Sequence, residues 1–212
     1  ISDSGNCSPD TVVQIDVIVN PIPDASFTGS GDGCEPYVFV GLQANPGTVP
    51  IMTWMWDFGD GSPVSNDADS TSHVYTTAGL YNVTLVVISV EGCFDTVIAQ
   101  GIASVYGAPA AGFTINQNGV PLIPKETSIL TPEVDFVNTA SSNVDSTVWD
   151  FGDPNAGINN WSNATNPSHT YSDTGTYIIT QTVYTGDGCD SIASDTLHIY
   201  GQYILFAPSA FS

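Results

Sequence analysis

The chain has almost no positive charge. Against 22 aspartates and glutamates stands one base, Lys125, and the formal net charge is -21 over 212 residues. With nothing to neutralise phosphates, binding to nucleic acid or to an anionic membrane surface is excluded as a main function. Long apolar runs are also lacking: the best candidate, around Leu85 to Val90, falls far short of the roughly 20 residues a membrane helix needs. No stretch holds a 3.6-residue apolar period, and 14 prolines with 20 glycines interrupt the chain too often for long helices. The opening at Ile1 carries no charged leader followed by an apolar segment, the pattern expected of a mature or cut-out piece.

What is present is apolar and aromatic. Hydrophobic residues make up 42% and aromatics 10%, while only 11% are charged, so a disordered polyanion is excluded. The surface is expected to be solvated and self-repelling, suited to an extracellular setting and open to divalent cations.

Internal repeats set the organisation. "HVYTTAGLYNVTL" from His73 returns as "HTYSDTGTYIITQ" from His169, and "VEGCFDTV" from Val90 returns as "GDGCDSIA" from Gly186. A partial copy opens the chain, with Cys7 matching Cys93 and Phe27 matching Phe113. The expected division is therefore 1–22, the final hairpin of a preceding repeat; 23–107 and 108–200, two full repeats; and 201–212, the start of something different. The chain reads as a window on a longer array, with joints at the Pro-bearing "NPIPDASF" and "YGAPAAGF". Short β-branched and aromatic runs, "TVVQIDVIV", "YVFVGL", "YNVTLVVISV" and "TYIITQTVY", alternate with turn clusters such as "SGDG" and "NPGT". About seven strands in some 90 residues point to an all-β, immunoglobulin-like sandwich.

The densest element is "WMWDFGDGSP" at 54–63, whose centre recurs in "VWDFGDP". Alternation in a strand puts Trp54, Trp56 and Phe58 on one face, expected to be the core, with Trp149 as the later counterpart of Trp56. Glycine and aspartate in "GDG" then suit a tight turn. "WDFGDGSPVS" followed by "HVYTTAGLYNVTLVV" resembles the PKD domain, an immunoglobulin-like module, and the second repeat resembles it with Pro154 in place of a glycine and a longer loop through Asn155 to Asn166. The resemblance implies tandem PKD sandwiches.

Several residues could carry chemistry. Asp57 with Asp60, and Asp150 with Asp153, could be read as glycosidase carboxylate pairs, but both lie on a strand and its turn and recur in each repeat. Calcium suits the same four carboxylates better; turn capping is the plainer reading, and no other cofactor is implied. His73, His169 and His198 are too scattered for a zinc site, and the first two, each before a tyrosine, suit hydrogen-bonded structural roles. Tyr81 and Tyr177, two residues after Gly79 and Gly175, resemble the tyrosine corner of sandwich domains. A disulfide between Cys34 and Cys93 is expected to staple the first repeat's sheets. Cys7 is expected to pair within a preceding repeat, and Cys189 has no evident partner because Thr131 stands at the position matching Cys34.

The last residues, "GQYILFAPSAFS", resemble the opening of a type B C-terminal sorting domain of the Bacteroidetes type IX secretion system, through Pro208, Ala210, Phe211 and Ser212. That resemblance implies recognition by the type IX translocon, with Pro208 and Phe211 as recognition residues, and an outer-membrane barrel partner of the PorP/SprF kind. Asp-Ser/Thr triplets of the sort O-glycosylated in that phylum occur at Thr11, Ser70, Thr96, Ser146, Ser191 and Thr196. The expected function is the non-catalytic stalk of a secreted cell-surface adhesin of the gliding-motility type. The alternative is spacer or substrate-binding PKD domains of a secreted hydrolase, where Trp161 in "NNWSNATN" would be a sugar platform.

Overall fold

The computed structural model describes residues 14–45, 47–67 and 70–201. Its strands are β1 (Phe27–Thr28), β2 (Gly31–Cys34), β3 (Tyr37–Ala44), β4 (Ile51–Asp57), β5 (Ser70–Tyr75), β6 (Gly79–Ser89), β7 (Phe94–Tyr106), β8 (Phe113–Gln117), β9 (Val120–Pro121), β10 (Glu126–Ser128), β11 (Glu133–Asn138), β12 (Ser146–Asp150), β13 (Trp161–Ser162), β14 (Ser168–Thr170), β15 (Gly175–Tyr184) and β16 (Asp190–Tyr200). Four sheets result: β1-β3-β5 and β2-β7-β6-β4 from the first repeat, β14-β11-β8-β9 and β10-β16-β15-β12-β13 from the second. The expected all-β, immunoglobulin-like class is what forms.

The two repeats use the same topology. In each, a short early strand runs parallel to the end of the last one: β2 pairs Cys34 with Tyr106, and β10 pairs Ser128 with Tyr200. All other strand pairs with a described register are antiparallel, the longest being β15 with β16 from Gly175↔Ile199 to Tyr184↔Asp190.

By proximity of the backbone the chain divides into two compact units that cut across the repeats. Among the described residues, one takes those in 14–29, 41–71 and 82–100; the other takes those in 30–40, 72–81 and 101–201. The first buries Leu42, Trp56, Phe58, Val83, Leu85 and Val87. The second buries Phe39, Tyr75, Ala103 and Val105, and a cluster built on Phe136, Trp149, Phe151, Tyr171, Ile179, Leu197 and Ile199. Strict alternation along β15 and β16 supplies that cluster, since every second residue faces the same side.

Two expectations are corrected. The run "TVVQIDVIV" forms no strand over its described part, and Ile15, Val17, Ile18, Val19 and Ile22 are all exposed. A final hairpin has little stability without the sheet it completes. The second correction is the disulfide. Cys34 bonds Cys189, with Cα atoms 5.5 Å apart, and Cys93 is a free thiol. The reason lies in β7: Cys93 directly precedes it, whereas Cys34 pairs with Tyr106 at its far end. Cys93 therefore stands at one end of a strand of 13 residues and Cys34 is paired at the other. The same parallel register replaces Thr131 with Ser128 as the counterpart of Cys34. Both Cys34 and Cys189 lie in the second compact unit.

Candidate functional site

The repeated acid-aromatic motif was the strongest site candidate, and its geometry is nearly identical in both copies. Trp56 and Trp149 are fully buried, as is Phe151, with Phe58 nearly so, whereas Trp54 is only half-buried on β4. Each central indole donates to a carbonyl of the loop that follows: Trp56 Nε1 to Asp67 O at 3.2 Å, Trp149 Nε1 to Ala164 O at 2.9 Å. The aspartate after each tryptophan closes a small turn by accepting a backbone bond two residues on. Gly59 N donates to Asp57 Oδ1 and Gly152 N to Asp150 Oδ1, both at 2.9 Å.

The glycines are dictated by this turn. Gly59 and Gly152 have φ of 76° and 67°, and a Cβ on either would lie 2.4 Å from Asn82 O or 2.3 Å from Ile178 O. Gly152→Ala is accordingly expected to cost at least about 2 kcal/mol, combining left-handed strain with a backbone collision. The shift of the urea midpoint at unchanged slope measures it.

The second acid of each motif differs in burial between copies, exposed at Asp60 and buried at Asp153. Asp60 Oδ1 accepts from Ser62 N at 3.0 Å and caps the next turn. Asp153 is buried, 1% exposed, and its Oδ2 accepts from His169 Nε2 at 3.1 Å while its Oδ1 has no hydrogen-bond partner. Asn160 ties the region together: its Nδ2 donates to Asp150 Oδ1 at 2.8 Å and its Oδ1 accepts from Asp153 N at 2.6 Å. The loop between them begins as a 3-10 helix, Pro154–Asn160, started by the proline that replaces the first copy's glycine.

Asp153, His169 and Trp161 line an open cleft of about 640 Å³ with Asn155, Asn159 and Ser168; Asp150 is not among the lining residues. An acid pair working on one glycosidic bond must face the same opening, and these two do not. His169 stacks on Phe151 at 4.5 Å and meets Tyr171 edge-on at 4.6 Å, a packed setting. Among the described residues, no three His, Cys, Asp or Glu side chains gather in a cluster that could hold a metal ion. His73 packs edge-on against Tyr75 at 4.7 Å, and exposed His198 meets Thr176 Oγ1 through Nδ1 at 3.2 Å.

Tyrosines close the fold. Tyr81 donates to Thr77 O at 2.7 Å and Tyr177 to Asp173 O at 3.0 Å, the same four-residue reach in both repeats. Tyr171 donates to Phe151 O at 3.0 Å, and its burial, then the nearby Asp153 charge, push its hydroxyl well above the ordinary tyrosine value. A raised folded value means stability is full below the unfolded pKa of about 10 and is lost as pH rises above it. Melting of the chain should therefore fall steeply above that pH, and Tyr171→Phe should flatten the slope; an unchanged slope would show that this hydroxyl does not matter.

The match of these motifs is family-wide. The PKD domain family model matches residues 18–101 and 118–199. This chain belongs to the PKD domain family. Solved PKD domains are similar to single repeats: the PKD1 domain of Vibrio anguillarum Epp, at 23% identity over 45% of this chain and 96% of that one, TM-score 0.34; and the PKD1 domain of the Vibrio cholerae metalloprotease PrtV, at 27% over 43% and 96%, TM-score 0.33. PKD domains are non-catalytic immunoglobulin-like modules typical of extracellular proteins, and among the described residues no helix is long and apolar enough to cross a membrane.

Of the other predicted residues, Ser70, Thr96, Ser146 and Thr196 are exposed and Ser191 is half-buried; Thr11, Pro208 and Phe211 lie outside the described residues. Asp95, beside Thr96, accepts from Ala25 N at 2.8 Å, and that bond with one from Thr96 N holds its carboxyl below the usual range. Lys125 pairs with Asp195. Sequence reasoning missed the Asp153–His169 pair and fully buried Gln181, which receives Gly112 N at 2.8 Å and donates to Asn138 at 2.9 Å. The signal available for the first was that the motif's second Asp and the His before the tyrosine recur in both repeats; Gln181 left none.

Proposed function

We propose that this chain is a stalk segment of a long secreted cell-surface adhesin of the gliding-motility type, with residues 201–212 opening a type IX sorting domain. The observation that supports the stalk reading best is that both motif copies spend their acids, indoles and glycines on turns and core. A net charge of -21 with a single lysine suits extended, mutually repelling beads outside the cell. Pro208 and Phe211 are the proposed contacts for the translocon, and a PorP/SprF-like barrel the proposed anchor. Thr96, Ser70, Ser146, Ser191, Thr196 and Thr11 are the proposed O-glycan acceptors, which intact mass before and after chemical deglycosylation would count.

A Pro208→Ala/Phe211→Ala double variant of the whole protein, made in a type IX-competent bacterium, tests the export reading. Loss of surface labelling with retention inside the envelope is expected. Undiminished surface display would refute it.

One observation favours the hydrolase-accessory reading: Trp161 is 56% exposed and lines the cleft with Asp153 and Asn159. On that reading an insoluble polysaccharide retains the chain and Trp161→Ala abolishes retention. Equal, weak retention of both proteins leaves the stalk reading in place.

A further inference from the structure

The two hairpin cysteines stand in the same turn, yet one is bonded and the other is not. In the β15–β16 turn Thr185 N donates to Cys189 O at 2.8 Å, Cys189 N to Thr185 Oγ1 at 3.1 Å and Gly188 N to Thr185 O at 3.0 Å. The β6–β7 turn repeats all three bonds: Ser89 N to Cys93 O at 2.8 Å, Cys93 N to Ser89 Oγ at 3.2 Å and Gly92 N to Ser89 O at 3.0 Å. Gly92 and Gly188 even share a φ of 82° and 85°. The backbone therefore presents both thiols alike.

Cys189 bonds a cysteine of the repeat before its own, at the end of that repeat's β2. The matching position in the second repeat is Ser128, fixed by the paired bonds Glu35 N to Tyr106 O and Ile129 N to Tyr200 O, both 2.9 Å. The bond is directional: the hairpin cysteine Cys189 reaches back to Cys34 at the end of β2 in the preceding repeat. Within one repeat the two positions belong to opposite ends of the last strand.

We infer that Cys93 is the hairpin half of the same cross-link, and that its partner is a cysteine ending the second strand of the PKD unit preceding it. The inference rests on the tandem-stalk reading. Its chemistry is ordinary thiol–disulfide exchange. A dithiol–disulfide oxidant, such as oxidised glutathione, first forms a mixed disulfide with the partner cysteine, releasing one thiol. The Cys93 thiolate then attacks that partner's sulfur and expels the second. Two cysteine thiols are oxidised and one disulfide oxidant is reduced to two thiols. Repeated along an array, such bonds link each unit to the one before it, and Ser128, a hydroxyl at the end of β10, accepts no such link from a following unit.

Disulfide mapping of the full secreted protein tests this. Free thiols are alkylated under denaturing, non-reducing conditions and the protein is cut before aspartate, which puts Cys34, Cys93 and Cys189 on separate peptides, 32–56, 69–94 and 187–189. Expected is near-complete protection of Cys93 from alkylation and a mass linking 69–94 to a peptide from an upstream PKD unit. Alkylated Cys93, or Cys93 linked to Cys7, overturns the inference. The same data distinguish the two failures: an upstream unit that carries the β2-end cysteine while Cys93 is alkylated defeats the cross-link alone, whereas no PKD unit upstream also removes the array.

Discussion

Trp149→Ala is expected to remove roughly 3–5 kcal/mol from the second repeat. The side chain is fully buried, with Phe113 at 5.1 Å and Phe136 at 5.7 Å between ring centroids. Truncation leaves a large cavity between two sheets, and relaxation there is limited because close-packed aromatic neighbours cannot follow. It also leaves Ala164 O without the indole donor that holds it at 2.9 Å. Since whole domains are stable by only about 5–15 kcal/mol, much of the folded margin would go. Trp149→Phe keeps most of the volume and should cost about half as much or less. Urea unfolding followed by far-UV circular dichroism separates the cases. A loss for the alanine variant below about 1 kcal/mol, the level of an ordinary substitution, would contradict the role of this indole as the central plug. Trp56→Ala should behave likewise in the first repeat, where Phe27 meets the indole edge-on at 5.2 Å.

The second large effect belongs to the disulfide. Cys34→Ser or Cys189→Ser is expected to cost about 2–5 kcal/mol, because the bond closes a loop with a sequence separation of 155. Most of that acts through the unfolded chain, which gains conformations when the loop opens. Either variant, and the reduced wild-type chain, should therefore share one melting profile. Cys93→Ser, in contrast, removes no bond from this chain, so its effect should stay within about 0.5 kcal/mol. If the two cysteine variants melt as the oxidised wild type does, the cross-link contributes nothing.

How far the sequence alone could lead depended on the range of the signal. Trp56, Phe58, Asp57 and Gly59 act within one strand and its turn, so alternation and turn chemistry place them. Tyr81 and Tyr177 reach only four residues back, and their offset from glycine is enough. The repeat offset then carried each assignment from one copy to the other. The disulfide is not legible in one repeat's sequence, because the bond crosses from Cys34 to the next repeat's Cys189. Likewise the repeat offset points to Thr131, whereas the parallel register fixes Ser128 opposite Tyr200. The run at 11–19 has strand composition but no partner strands over its described part, and composition cannot supply them. Asp153 is buried where Asp60 is exposed, and the longer loop after Pro154 brings Asn160 Oδ1 to its backbone N–H, a contact set by loop geometry.

The central claim is that the paired repeats form a spacer closed by Cys34–Cys189, with the motif residues serving the fold. Pulling single molecules by their two ends tests this directly. The oxidised chain should release no length from residues between the two cysteines, whatever the force unfolds. Reduction should then add on the order of 500 Å, the contour of the freed segment at about 3.3–3.6 Å per residue. The same long release from oxidised and reduced chains would contradict the account.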